Sequence, residues 1–109
     1  MLQMPYTFAG IALPSSYWVP TIVTLDLQHR RANFTMSCFA VQSQYTETAE
    51  PIDARSYQIN QDQFYTYFSD AALATKGPIV QCCQAASDTK DSLDSSGSPV
   101  SFFAGATIV

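Results

Sequence analysis

The chain has 109 residues, room for one domain and not two, with 47% apolar residues but only 13% charged where soluble domains usually carry about a quarter. Net charge is −4, and of the five Lys and Arg only Arg30 and Arg31 adjoin, which argues against a nucleic-acid binder or a partner of anionic membranes. Ser, Thr, Gln and Tyr replace the missing charge, alongside seven Phe and one Trp; charge-poor, aromatic-rich surfaces are those covered by neighbours, so composition predicts a chain that contacts other proteins, the alternative being a monomer with an uncharged polar coat.

Along the chain, Met1 to Tyr6 lacks a basic segment and a long apolar stretch, so synthesis in a cytoplasm without a secretory signal is expected. Gly10 suits a turn or bulge before a short apolar strand ending at Pro14. Tyr17 to Leu27 is β-branched and aromatic, placing Tyr17, Val19, Thr21, Val23, Leu25 and Leu27 on one face. Pro20, lacking an N–H, requires an edge, a bulge or a break there. Gln28 to Arg31 reads as a hairpin connection.

Ala32 to Gln42 alternates cleanly, with Phe34, Met36, Cys38 and Ala40 on a buried face; Phe39 and Val41 break the alternation and are available to a partner. Ser43 to Pro51 is a loop, and Asp53 to Ile59 a strand with Arg55, Tyr57 and Ile59 on one face. Asn60 to Phe68 fits a strand or a helical turn equally. Pro78 can start a helix, and residues 79, 82, 83 and 86 then share a stripe that packs on the sheet. Ser87 to Pro99 is Ser/Asp-rich and linker-like, ahead of an apolar tail that either folds back as a strand or docks on a neighbour. The fold expected is mainly β, an antiparallel sheet or small β-sandwich with one short helix near the C-terminus. It divides into a domain at 1–87, a linker at 88–99 and an apolar arm or strand at 100–109 that the domain does not need in order to fold.

Catalytic chemistry finds little support. His29 is the only histidine, with Asp26 nearby but no nucleophile motif, and reads as an exposed loop residue. Asp88, Asp91 and Asp94 lack the alternate acids, central Gly and final Glu of a calcium loop. Glu47 and Glu50 have no partner acid, there is no Gly-rich phosphate loop, and Asn33-Phe34-Thr35 is a chance glycosylation pattern because Phe34 belongs inside the sheet. Cys38, Cys82 and Cys83 fit neither metal spacing nor a secreted framework; they read as buried thiols, with a bridge from Cys38 to one of the pair as the sharper alternative. No enzyme activity, cofactor or metal is expected.

The order of features from Gly10 to Ala86 resembles small β-rich virion structural proteins of tailed phages. The likeness rests on Ala9-Gly10-Ile11, the aromatic strand Ser16-Tyr17-Trp18-Val19, the polar hairpin at 28–31, and the alternating strand 32–40. It continues through the loop ending at Pro51, the strand Arg55–Ile59, the late helix and the ending Phe103-Ala104-Gly105-Ala106-Thr107. This family runs from helix to terminus more directly, without the Asp/Ser stretch. The resemblance implies a non-enzymatic virion protein, tail- or baseplate-associated or else decorating the capsid, made in the host cytoplasm and contacting copies of itself and other virion proteins. Phe102, Phe103, Ile108 and Val109 are the expected docking arm, with Phe39 and Trp18 as further contact residues. A receptor- or carbohydrate-binding module is the alternative, with Trp18, Tyr65 and Tyr67 as a stacking platform.

Overall fold

The structure, a computed structural model, describes residues 1–109, the side chain of Gln61 excepted. It is mainly β. Strands β1 (Leu2–Phe8), β2 (Ile11–Asp26), β3 (Arg31–Phe39) and β4 (Asp53–Asn60) form an antiparallel meander. Helices α1 (Gln61–Phe68) and α2 (Asp70–Asp88) follow, then the two-residue strands β5 (Ser92–Leu93), β6 (Pro99–Val100) and β7 (Thr107–Ile108). The main sheet has the order β4-β3-β2-β1-β7, and β5 with β6 makes a separate hairpin.

Turn chemistry explains the meander. Phe8 pairs with Ile11 across the two-residue turn Ala9-Gly10, where both residues have positive φ (51° and 80°), the backbone that matches the twist of a tight hairpin. At the β2–β3 turn, Asp26 accepts a hydrogen bond from the His29 N–H at 3.1 Å and contacts the His29 ring nitrogen at 2.8 Å. That contact gives His29 a turn-closing place on the surface.

Pro20 sits at an irregularity inside the sheet and not at its edge: pairing steps from Pro20↔Met36 to Ile22↔Thr35, leaving Thr21 as the extra residue. This bulge reverses the phase of β2, because side chains alternate with a period of two. Trp18 before it, and Val23 and Leu25 after it, therefore face the same core, while Tyr17 and Val19 face the other way. The single stripe expected over residues 17–27 is thus two half-stripes on opposite faces. In β3 the predicted alternation is present for Phe34, Met36 and Cys38, which are buried in the main core with Ala32, whereas Ala40 lies just past the strand and is half-buried.

The aromatic-rich segment 61–68 forms α1, burying Phe64 and Phe68 against that face. Ser69 caps α2 by accepting from the Ala72 N–H at 3.2 Å. Gly77, at φ 81°, interrupts α2, and Pro78 restarts it. Cys82, Cys83, Ala85 and Ala86 are buried by this second half, but Ile79, expected on the same packed stripe, is 46% exposed. There are thus two helices on the sheet, one of them longer than expected.

The segment 88–99 is folded. Asp94 accepts from the backbone N–H groups of Ser96 and Ser98, both at 2.9 Å, closing the β5–β6 hairpin. The segment 100–109 returns to its own sheet: β7 pairs with Leu2 and Gln3, and the Val109 N–H donates to the Met1 carbonyl at 2.9 Å. Between these, Phe103 is 2% exposed, its ring 5.3 Å from Trp18 and 6.3 Å from Tyr57. Of the two fates expected for the tail, the structure has the strand folded back on its own sheet, and the polar segment before it forms a hairpin where a linker is expected.

Candidate interaction surfaces

Of the residues expected at a partner interface, three lie inside. Trp18 is 0% exposed and donates its indole N–H to the Ser16 hydroxyl at 3.1 Å. Phe103 belongs to the same core. Phe39 is 3% exposed on the opposite face, where it packs with Tyr17 and Val19 and meets the Tyr45 ring at 5.1 Å. Phe102 is half-buried, edge-on to Tyr6, Trp18 and Phe103. Only Ile108 and Val109 are exposed, on β7 and just after it. The reason is local: an aromatic residue that breaks an alternating pattern signals burial on a second face as readily as a contact surface, and the 40–52 loop supplies that second cover through Tyr45 and Ala49. A stacking platform of Trp18 with Tyr65 and Tyr67 is likewise absent, since Trp18 is enclosed and the Tyr67 hydroxyl donates to Asp88.

The exposed apolar surface lies at the other end of the chain. No charged side chain occurs from Met1 to Leu25. β3 pairs with β2 only from Tyr17 onward, so the distal half of the β1–β2 hairpin extends past the third strand. Its tip exposes Phe8 (37%) and Ile11 (63%), with Ala9, Ala12 and Pro14 exposed beside them. A groove of about 640 Å³ runs along one side of it, lined by Met4, Tyr6, Leu13, Pro14 and Phe102. Composition alone marks this segment, through the absence of charge. Its protrusion depends on where β3 ends.

A second bare area is the outer face of β2, β3 and β4, where Ile22, Thr24, Asn33, Thr35, Ser56 and Gln58 surround a shallow depression of about 500 Å³. All six are uncharged, and Ile22 is 65% exposed.

A polar clasp lies under β4. Arg55 pairs with Asp91 at 2.9 Å and its guanidinium carbon sits 4.0 Å from the centre of the Phe102 ring. Asp91 also accepts from the Phe102 N–H at 2.9 Å. Burial pushes the Asp91 carboxyl up, but the Phe102 N–H and the Arg55 guanidinium outweigh it and hold the group below its ordinary value. Asp53, nearby on the same strand, accepts from the Tyr6 hydroxyl. Asp88, Asp91 and Asp94 thus have three separate structural partners and converge on no common point.

Two buried atoms of this cluster, Arg55 Nε and the Tyr57 hydroxyl oxygen, lack a hydrogen-bond partner among the described residues. Burial pushes the Tyr57 phenol up to about 12. An unsatisfied buried hydroxyl costs roughly 1–3 kcal/mol, so Tyr57→Phe is expected to leave stability unchanged or raise it by about 1 kcal/mol in urea denaturation. A clear loss would reveal a partner for the hydroxyl.

All three cysteines are free and buried. Burial raises the Cys38 thiol to about 11 and the Cys82 thiol to about 12, so both stay protonated at neutral pH and neither is a ready nucleophile. Among the described residues no group of three His, Cys, Asp or Glu side chains is placed to hold a metal ion. No family model, curated protein or solved structure matches the chain.

Proposed function

We propose that this chain is a non-enzymatic structural subunit of a tailed-phage particle, held in the tail or baseplate region through its protruding β1–β2 hairpin. The observation that carries the assembly role is the projecting half of this hairpin, free of charged side chains, with Phe8 and Ile11 exposed at its tip. Exposed apolar groups on a projecting element cost solvation unless a partner covers them. The nature of the particle rests on the sequence resemblance given above. A protein partner fits better than a membrane, because no Lys or Arg accompanies the apolar tip to engage anionic headgroups.

Phe8→Asp and Ile11→Asp are expected to fold normally, both sites being exposed, and to reduce binding to isolated tails at least tenfold, a loss of about 1.4 kcal/mol. Unchanged binding of both variants would remove the hairpin from the interface. If wild-type protein binds tailless heads and ignores tails, it is a capsid decoration protein. Binding to neither removes the particle reading.

A further inference from the structure

The two edges of the five-stranded sheet are built differently. On one side β7 covers only Leu2 and Gln3, and beyond them β1 carries Pro5 and a register slip between Met4 and Tyr6. Short edge strands, prolines and bulges are the features that keep an edge from pairing with another chain. On the other side β4 pairs with β3 from Asp53 to Asn60 without a register shift, and among the described residues no strand lies beyond it. It contains no Pro or Lys. Its two charged side chains are engaged within the chain, Asp53 by the Tyr6 hydroxyl and the Ala54 N–H, and Arg55 by Asp91. Ala54, Ser56 and Gln58, on the opposite face, are exposed and uncharged.

We propose that β4 pairs antiparallel with β4 of a second copy, joining two five-stranded sheets into one continuous sheet. The occupant follows from the edge itself. An antiparallel strand pair closes on a twofold axis normal to the sheet, which reverses strand direction and keeps each face on its own side. Directly opposed residues must then lie on the same face, which restricts the registers. Centring on Arg55 sets two guanidinium groups opposite one another, and like charges so placed destabilise a pair. Centring on Tyr57 opposes two rings already stacked on Phe34 and runs the pairing into Asn60, where the chain turns into α1.

Centring on Ser56 opposes Ser56 with its copy, Ala54 with Gln58, Arg55 with Tyr57 and Asp53 with Ile59, with no like charges facing. Association stops at two copies because the β1 side is guarded. This pairing does not depend on the nature of the particle, since β4 and the β1–β2 hairpin lie toward opposite sides of the sheet.

The test uses the full chain. Light scattering after size exclusion is expected to give the mass of two chains at high concentration. Ser56→Cys is expected to cross-link to itself under mild oxidation, whereas Gln58→Cys, displaced from the axis, is not; the native thiols are buried and do not compete. Ser56→Lys and, separately, Gln58→Lys should weaken association about tenfold or more, with unchanged circular dichroism. A wild-type monomer at every concentration, dimers that persist in both lysine variants, or cross-linking at Gln58 but not at Ser56 would each overturn the proposal. Tail binding by a monomer leaves the hairpin reading intact, and a dimer that binds no particle component leaves the edge pairing intact.

Discussion

Replacing Phe103 by Ala is expected to destabilise the chain by about 4 kcal/mol, within the range of about 3–5 kcal/mol found for emptying a buried aromatic site. The ring is 2% exposed and touches residues from three parts of the chain: Trp18 on β2, Tyr57 on β4 and Phe102 beside it. The site cannot collapse easily, because Trp18 is held by its own hydrogen bond to Ser16 and Tyr57 is stacked on Phe34 at 5.2 Å. In a domain of this size such a loss lowers Tm by roughly 15 °C or more. Ile108→Ala, by contrast, is expected to change stability by about 0.5 kcal/mol or less, since that side chain is 69% exposed. Removing residues 100–109 altogether takes away Phe103, the β1–β7 pairing and the Ser101 hydroxyl that donates to the Ala86 carbonyl at 2.9 Å. The truncated chain is expected to lose cooperative unfolding. A truncated protein with a sharp thermal transition near that of the full chain would show that the tail is an appendage after all.

Asp91→Ala is expected to cost about 2 kcal/mol, the scale of a lost hydrogen bond to a charged group. One carboxylate here ties three parts of the chain together: it accepts from the Phe102 N–H, pairs with Arg55, and so keeps the guanidinium against the Phe102 ring. The pair is partly exposed, with side-chain exposures of 34% and 24%, so its ionic share is below that of an enclosed pair. Asp91→Asn separates the contributions, because an amide oxygen still accepts from Phe102 but carries no charge for Arg55.

The pH dependence has a definite sign. The Asp91 carboxyl is held below its ordinary value in the fold, so its charge contributes stability in full above the unfolded carboxyl's value of about 4. That contribution is lost as pH falls through the lower folded value. The stability difference between wild type and Asp91→Asn is therefore expected to be largest near neutrality and to shrink in acid. Urea denaturation of both proteins across the acid range measures it, and a difference independent of pH would show that the ion pair contributes nothing. Hydrogen exchange should show residues 89–103 opening first in the variant, since these are the residues the clasp holds down.

Several elements were determined by the sequence acting locally. The alternation of Phe34, Met36 and Cys38 marks a half-buried strand wherever the rest of the chain goes, because side chains of a strand point alternately to its two faces. Gly10 allows the positive φ of a tight hairpin, and Pro78 suits the first turn of a helix. The charge-free run from Met1 to Leu25 is visible in composition, and so is the shortage of charge across the whole chain. These are properties of a few neighbouring residues or of simple counts.

The tertiary structure decided what depends on distant partners. Thr21 becomes the extra residue of a bulge only in register with β3. That single offset puts Tyr17 and Leu25 on opposite faces of the sheet, where one uninterrupted stripe would put them on the same face. The aromatic run at 61–68 is ambiguous in period and becomes a helix because Phe64 and Phe68 can then bury against Phe34 and its neighbours. Phe103 reads as an arm residue when judged by the polar segment before it. It lies in the core because Trp18 and Tyr57 leave a site for it, and because Asp91 and Asp94 supply acceptors that fold the intervening segment. Burial of an aromatic ring depends on the whole set of residues that can enclose it, and that set is assembled only when the chain folds.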